Sequence, residues 1–188
     1  MSASSRSRRA AAGAAAITLL STAGLFVVGT ASARADALLD VTCTPPSHST
    51  TTYSPPLTAT PQPVSGSVVT DWSSCLSAST PGLTSGTSTG TLATVARSCL
   101  SLLTPGTDTL TITWNTGASS TLTLKRTSTI AGASLITTLT GTVASGLFAG
   151  DTVAGTVVGP ATDITLCTLG LGTVSTLNSL VTIEITSP

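Results

Sequence analysis

Charge is the scarcest property of this 188-residue chain: seven Lys and Arg and seven Asp and Glu make up 7% of it. Four of the basic residues, Arg6, Arg8, Arg9 and Arg34, sit at the N-terminus. Only Arg97, Lys125 and Arg126 remain beyond them, so no basic patch exists and no nucleic-acid partner is expected. Histidine occurs once, as His48, in a Pro- and Ser-rich segment. A Ser-His-Asp triad therefore has only one poorly placed base, and no G-x-S-x-G elbow is present. None of the four cysteines lies in a CxxC, which with a single His argues against zinc. A D-x-D-x-D-G calcium loop is missing. Gly170-Leu171-Gly172 has no Lys or helix to make it a phosphate cradle. Asp71, Asp108, Asp151, Asp163 and Glu184 fall mostly toward strand ends, where turn capping or outward display explains them better than a glycosidase pair does. The expectation is a non-enzymatic protein with no catalytic residue, no metal and no cofactor.

Two further shortages bound the fold. Strong helix formers cluster nowhere beyond the N-terminus, and aromatic residues are 3% of the chain. Thr and Ser are the commonest residues, and β-branched residues run throughout, which favours strands over helices and, at positive mean hydropathy, over disorder.

The N-terminus reads as a secretory signal peptide over 1–35. Arg6, Arg8 and Arg9 precede an apolar run from Ala10 to Thr30, and Ala31-Ser32-Ala33-Arg34-Ala35 offers small-x-small cleavage sites. The run is also long enough for an uncleaved anchor, but its small-residue exit favours cleavage after Ala35. Ala10-Ala11 after Arg8-Arg9 points to the general export route rather than the twin-arginine one, and Asp40-Val41-Thr42 before Cys43 is no lipobox. Four basic residues leave with the signal and all seven acidic residues stay, so the mature chain is near −4. Residues 36–188 form one expected domain, released to the medium or loosely surface-associated, without stable membrane insertion.

The mature chain is organised around Asp108 to Arg126, DTLTITWNTGASSTLTLKR. Leu110, Ile112 and Trp114 alternate with threonines, as do Leu122 and Leu124, around an Asn115-Thr116-Gly117 break. Period-two alternation makes this a β-hairpin with one buried face. Further strands are expected at Ser49 to Ser54, Val64 to Trp72, Gly86 to Ser98, Leu135 to Val143, Asp151 to Val158 and Leu180 to Thr186. Asp36 to Cys43 forms a lead-in, and Pro160 to Leu177 a long connection. Seven or eight short strands bounded by Gly or Pro predict an all-β, antiparallel β-sandwich, immunoglobulin-like in the loose sense. Its Trp and Cys order does not reproduce the immunoglobulin core pattern.

Cys43, Cys75, Cys99 and Cys167 read as two disulfides in an exported chain. Strand reversals place Cys43 with Cys75 at one end and Cys99 with Cys167 at the other. Trp114 shares the Leu110 and Ile112 face and reads as core. Trp72, Tyr53 and Phe148 are the possible ligand contacts, because Trp72 and Tyr53 end strands beside turns and Phe148 lies in a tight loop. Lys125, Arg126 and Arg97 read as strand-end charges that deter aggregation.

The hairpin TITWNTGASSTLTL and the loop SGLFAGDTV resemble a group of uncharacterised secreted proteins of high-GC Gram-positive bacteria. That resemblance implies a signal peptide, a Thr-rich immunoglobulin-like sandwich and cysteines at similar places. A looser similarity is to neocarzinostatin-type chromophore carriers, small secreted Thr/Gly/Ala-rich sandwiches with two disulfides, whose bridges close shorter loops than these.

The functional expectation is a secreted protein acting through extracellular or surface contacts with another protein or a glycan. A carbohydrate or small-molecule carrier is the alternative, and an accessory or inhibitor of a co-secreted hydrolase the third reading. Oligomeric state is not legible.

Overall fold

The computed structural model describes residues 39–188; the expected signal peptide lies outside the described residues. Ten strands follow in chain order: β1 (Leu39–Cys43), β2 (His48–Leu57), β3 (Gln62–Trp72), β4 (Cys75–Ser77), β5 (Gly86–Arg97), β6 (Gly106–Trp114), β7 (Ser119–Ala131), β8 (Ser134–Gly146), β9 (Thr152–Pro160) and β10 (Val174–Thr186). A 3-10 helix, Cys99–Leu103, follows β5, and a short helix, α1 (Thr162–Thr168), precedes β10.

The central hairpin forms as its alternation requires. Leu110 faces Leu122 across β6 and β7, and Thr111 faces Thr121. Gly117, with φ of +84°, takes the left-handed step of the turn, and the Trp114 N–H bonds the Ala118 carbonyl at 2.8 Å. Asn115 then secures the neighbouring loop, accepting from the Thr84 and Ser85 N–H groups and donating to the Gly82 carbonyl.

The expected sandwich is not what forms. The strands lie in the order β2-β3-β5-β6-β7-β8-β9-β10, and β10 pairs with β2 to close one antiparallel eight-stranded barrel. β1 and β4 extend the sheet beside β10. Strand length explains the closure. β10 has 13 residues: Leu180 to Thr186 pair with β9, Val174 to Leu180 with β2, and Leu39 to Cys43 of β1 flank its C-terminal part. One long strand thus serves three partners, and its pairing with β2 makes the two ends of the sheet meet instead of stacking as separate layers. Eight strands enclose just enough interior for side chains or one small molecule. Closure also leaves no free edge at Ser49 to Ser54, which lies in β2 between β3 and β10.

The closure is uneven. β3 and β5 are paired from Trp72↔Gly86 to Gln62↔Arg97, and β6 and β7 from Thr113↔Ser119 to Gly106↔Arg126. Between β5 and β6 only Gly86↔Trp114 and Thr87↔Thr113 pair. Past Thr87 the two strands part, leaving a seam in the wall that the segment 98–105 bridges at its far end.

Two apolar clusters fill the two ends. One contains Val41, Cys43, Trp72, Cys75, Leu83, Ile112, Trp114, Leu122, Leu124, Val143, Val153, Val181, Ile183 and Ile185. The other contains Leu57, Val64, Cys99, Leu135, Ala161, Ile164, Cys167, Val174 and Leu177. Each fully buried Leu or Ile contributes about 1.5–3 kcal/mol, so both ends are firmly packed. Each cluster contains one of the two disulfides, Cys43–Cys75 and Cys99–Cys167, as the strand directions anticipate. The stretch that reads as a connection, Pro160 to Leu177, holds α1 and the start of β10. Ile164 and Cys167 put the apolar side of α1 into the second cluster.

Candidate functional site

Small side chains at the barrel's waist keep the two clusters apart. The inward positions there are Ser49 and Thr51 on β2, Val68 and Thr70 on β3, Ser88 and Gly90 on β5, Thr137 on β8 and Ser179 on β10. These residue types are too small to meet across the barrel, and a cavity of about 430 Å³ remains. That volume lies in the range of small-molecule sites. Trp72, Leu124 and Val181 of the first cluster line it on one side, and Leu135 and Leu177 of the second on the other. Thr91, Thr107 and Thr109, from the two strands that part, also line it, so the cavity reaches solvent through the β5–β6 seam. Gly90 is a gap in this wall: a Cβ placed there would meet nothing within 4 Å.

The polar lining is largely preorganised. Thr70 Oγ1 donates to Ser49 Oγ at 3.0 Å, and Trp72 Nε1 donates to Ser88 Oγ at 3.2 Å. Thr137 and Ser128 share a hydrogen bond between their hydroxyls at 2.9 Å. Trp72 therefore presents a buried, hydrogen-bonded ring rather than an exposed platform. Tyr53 sits in the same lining, packed against the second cluster, and burial pushes its phenol up to about 12 although Arg126 and Arg97 pull the other way. Its hydroxyl stays protonated and remains a donor at any ordinary pH.

Arg126 and Asp108 are the charged side chains of the lining. From sequence both read as strand-end residues. The structure corrects this: β6 starts before Asp108 and β7 runs on to Ala131, so both residues lie within strands. Asp108 shares the inward parity of Leu110 and Ile112, and Arg126 that of Leu122 and Leu124. Arg126 Nε approaches Asp108 Oδ2 to 3.2 Å, close enough for an ion pair but without hydrogen-bond geometry. Both partners are partly exposed, so the pair contributes at most about 1 kcal/mol. Its importance is its place at the mouth.

The three aromatic candidates separate. Trp72 and Tyr53 come together in the cavity wall. Phe148 does not join them: it packs edge-on against Trp114 with ring centroids 6.3 Å apart. Trp114 itself is buried, as expected, and donates to Ser120 Oγ at 2.8 Å. His48 lies outside the lining, with Nε2 3.4 Å from Asp71 Oδ2 and Nδ1 3.2 Å from the Pro46 carbonyl. It helps line a second, open hollow with Pro160, Asn178 and Leu180. Asp151 is buried, and its carboxyl is held above the usual range by burial, by a hydrogen bond with Asp40 and by that group's charge.

Gly90, Asp108, Arg126 and the Ser and Thr hydroxyls are the lining residues that sequence reasoning missed. No group of three or more metal-binding side chains occurs among the described residues, and none of their helices is long and apolar enough to cross a membrane. No protein-family model, curated protein or solved structure matches this chain.

Proposed function

We propose that this protein is an exported carrier or binding protein that holds one small amphipathic molecule inside its barrel. The observation that carries the reading is the 430 Å³ waist cavity, open at the β5–β6 seam and lined by Tyr53, Trp72, leucines and hydroxyls. A barrel that needed only stability would close with larger inward residues, because an unfilled interior forfeits dispersion and transfer energy. Two disulfides and firmly packed ends supply a rigid frame, which limits the ordering cost of binding. Two disulfides also suit an oxidising compartment such as the exterior. The cavity favours the carrier reading over one based on surface contacts alone.

The two indole N–H signals give a direct test. Trp72 lines the cavity and Trp114 does not. Titration with 2-naphthylmethanol should shift the Trp72 indole signal saturably and leave that of Trp114 in place. Gly90→Leu, which puts a side chain into the gap, should weaken binding at least fivefold. Absence of a saturable shift, or equal affinity in the Gly90→Leu variant, would sink the reading.

A further inference from the structure

We infer that the cavity's occupant is a compact amphiphile bearing a carboxylate, held at the β5–β6 mouth by Arg126 with its apolar body directed into the waist. The inference rests on the carrier reading and adds the chemistry of the bound molecule.

Charge placement is the first support. The Lys and Arg residues among the described residues are Arg97, Lys125 and Arg126. They lie on β5 and β7, the strands that flank β6, although the mature chain is acidic overall. The described acidic residues are distributed differently: Asp40 and Asp151 pair with each other, Asp71 faces His48, Asp163 is on α1 and Glu184 is on β10. Of these acids, Asp108 alone lines the mouth. It can balance one guanidinium, and it stands by Arg126. Arg97 makes no ion pair within 4 Å among the described residues; its Nη1 donates to the Val64 and Ala93 carbonyls at 3.3 and 3.0 Å. Both guanidinium charges oppose the effect of burial on the Tyr53 phenol, although of the two only Arg126 lines the cavity. The basic residues thus gather on the two strands beside the mouth, where Asp108 is the one acid of the lining, in a protein that otherwise repels anions.

Geometry is the second support. Asp108 approaches Arg126 at Nε, 3.2 Å away and without hydrogen-bond geometry, and Arg126 makes no hydrogen bond among the described residues. Its Nη groups keep their donors, and a planar fork suits a carboxylate better than it suits a neutral hydroxyl. Gly106, paired opposite Arg126, leaves room for the fork: a Cβ there would come within 3.0 Å of Nη2. Tyr53 adds a protonated phenol, a donor that an anion can use. Beyond these groups the lining turns to Leu110, Leu124, Leu135, Leu139 and Val157, which suits an apolar body and repels a second charge.

The test compares three probes of one shape: 2-naphthoate, 2-naphthylmethanol and 2-naphthylmethylamine, followed at the Trp72 indole signal and by calorimetry in about 50 mM salt. The carboxylate should bind at least tenfold tighter than the alcohol, and the amine no tighter than the alcohol. Arg126→Gln should remove the carboxylate's advantage over the alcohol, read as the ratio of their affinities in the same variant. Arg126→Lys should keep part of it, and Arg97→Gln should reduce it two- to threefold. Added salt should erode it as well, which needs no variant and so does not depend on each variant folding. If the alcohol binds as well as the carboxylate, or the preference survives Arg126→Gln, the headgroup inference is overturned and the carrier reading stands. If none of the probes binds in a manner sensitive to Gly90→Leu, both fall.

Discussion

Two strand glycines make opposite demands, and the contrast between them tests the cavity without any ligand. Gly90 in β5 faces open space, with nothing within 4 Å of where a Cβ would stand, whereas a Cβ on Gly141 in β8 would fall onto the Thr123 carbonyl oxygen. Gly90→Leu should therefore stabilise. Full burial of a leucine contributes about 1.5–3 kcal/mol, and at the half-open mouth roughly half of that is available. Immobilising the side chain costs about 0.5–1 kcal/mol, while replacing glycine within a strand returns about 0.5–1 kcal/mol of backbone entropy. The net is about 1 kcal/mol in favour of the variant, which for a domain of this size raises Tm by about 2–4 °C. Gly141→Ala, a smaller change by three carbons, should instead lose about 1–3 kcal/mol through overpacking against the backbone. Differential scanning calorimetry of the two variants beside the parent reads both signs. A lower Tm for Gly90→Leu would mean that the waist is filled rather than hollow, and the carrier reading would lose its foundation.

Two other outcomes follow from the same interior. Tyr53 is the chain's one tyrosine, so phenolate absorbance reports it alone. Its midpoint should lie near 12, and because the folded value is raised, the stability it contributes is full below pH 10 and declines as pH rises from about 10 through 12; a midpoint near 10 in the folded protein would place it in solvent. Removing either disulfide by a double Cys→Ser change should cost about 4 kcal/mol, since the bridged residues are separated by 32 and 68 positions. The two losses are similar, and because each bridge lies in a cluster that lines the cavity, removal of either should also weaken 2-naphthoate binding severalfold.

The strands were legible because their signal is local. Alternation marks β6, β7 and the cores of β3, β8 and β9, and it places Trp114 inside. Strand directions yield both disulfides, since a reversal count needs only the number of intervening strands. Closure was not legible. A strand in a sandwich and a strand in a barrel each show one face to a core and one to water, so period two is identical in both. What separates them here is that β10 also pairs with β2, whose nearest paired residue, Leu57, lies more than a hundred positions before Val174. No local pattern encodes that pairing. The helix over Thr162–Thr168 is hidden for a related reason: seven residues with three threonines have little intrinsic helical preference, and Ile164 and Cys167 form a helix face because the second cluster receives them.

The site itself left a mark that residue-by-residue motif reading passes over. Counting by twos from Trp114 through Ile112 and Leu110 reaches Asp108, and counting by twos from Leu122 through Leu124 reaches Arg126. Each hairpin strand therefore carries one charge of opposite sign on the face that its own leucines declare to be buried. An outward charge guards an edge; an inward one must be paired, solvated or used. The pairing of β6 with β7 brings the two to within 3.2 Å, and the stretch where β5 parts from β6 leaves both partly exposed. Inward serines and threonines on several strands say the same thing more quietly, because a barrel lined with small hydroxyls at one level and with leucines on either side of it has left that level empty. Parity, applied to polar residues as strictly as to apolar ones, is thus the signal from which this cavity follows, and it moves the search for function from the loops around Phe148 to the inner wall between Tyr53 and Arg126.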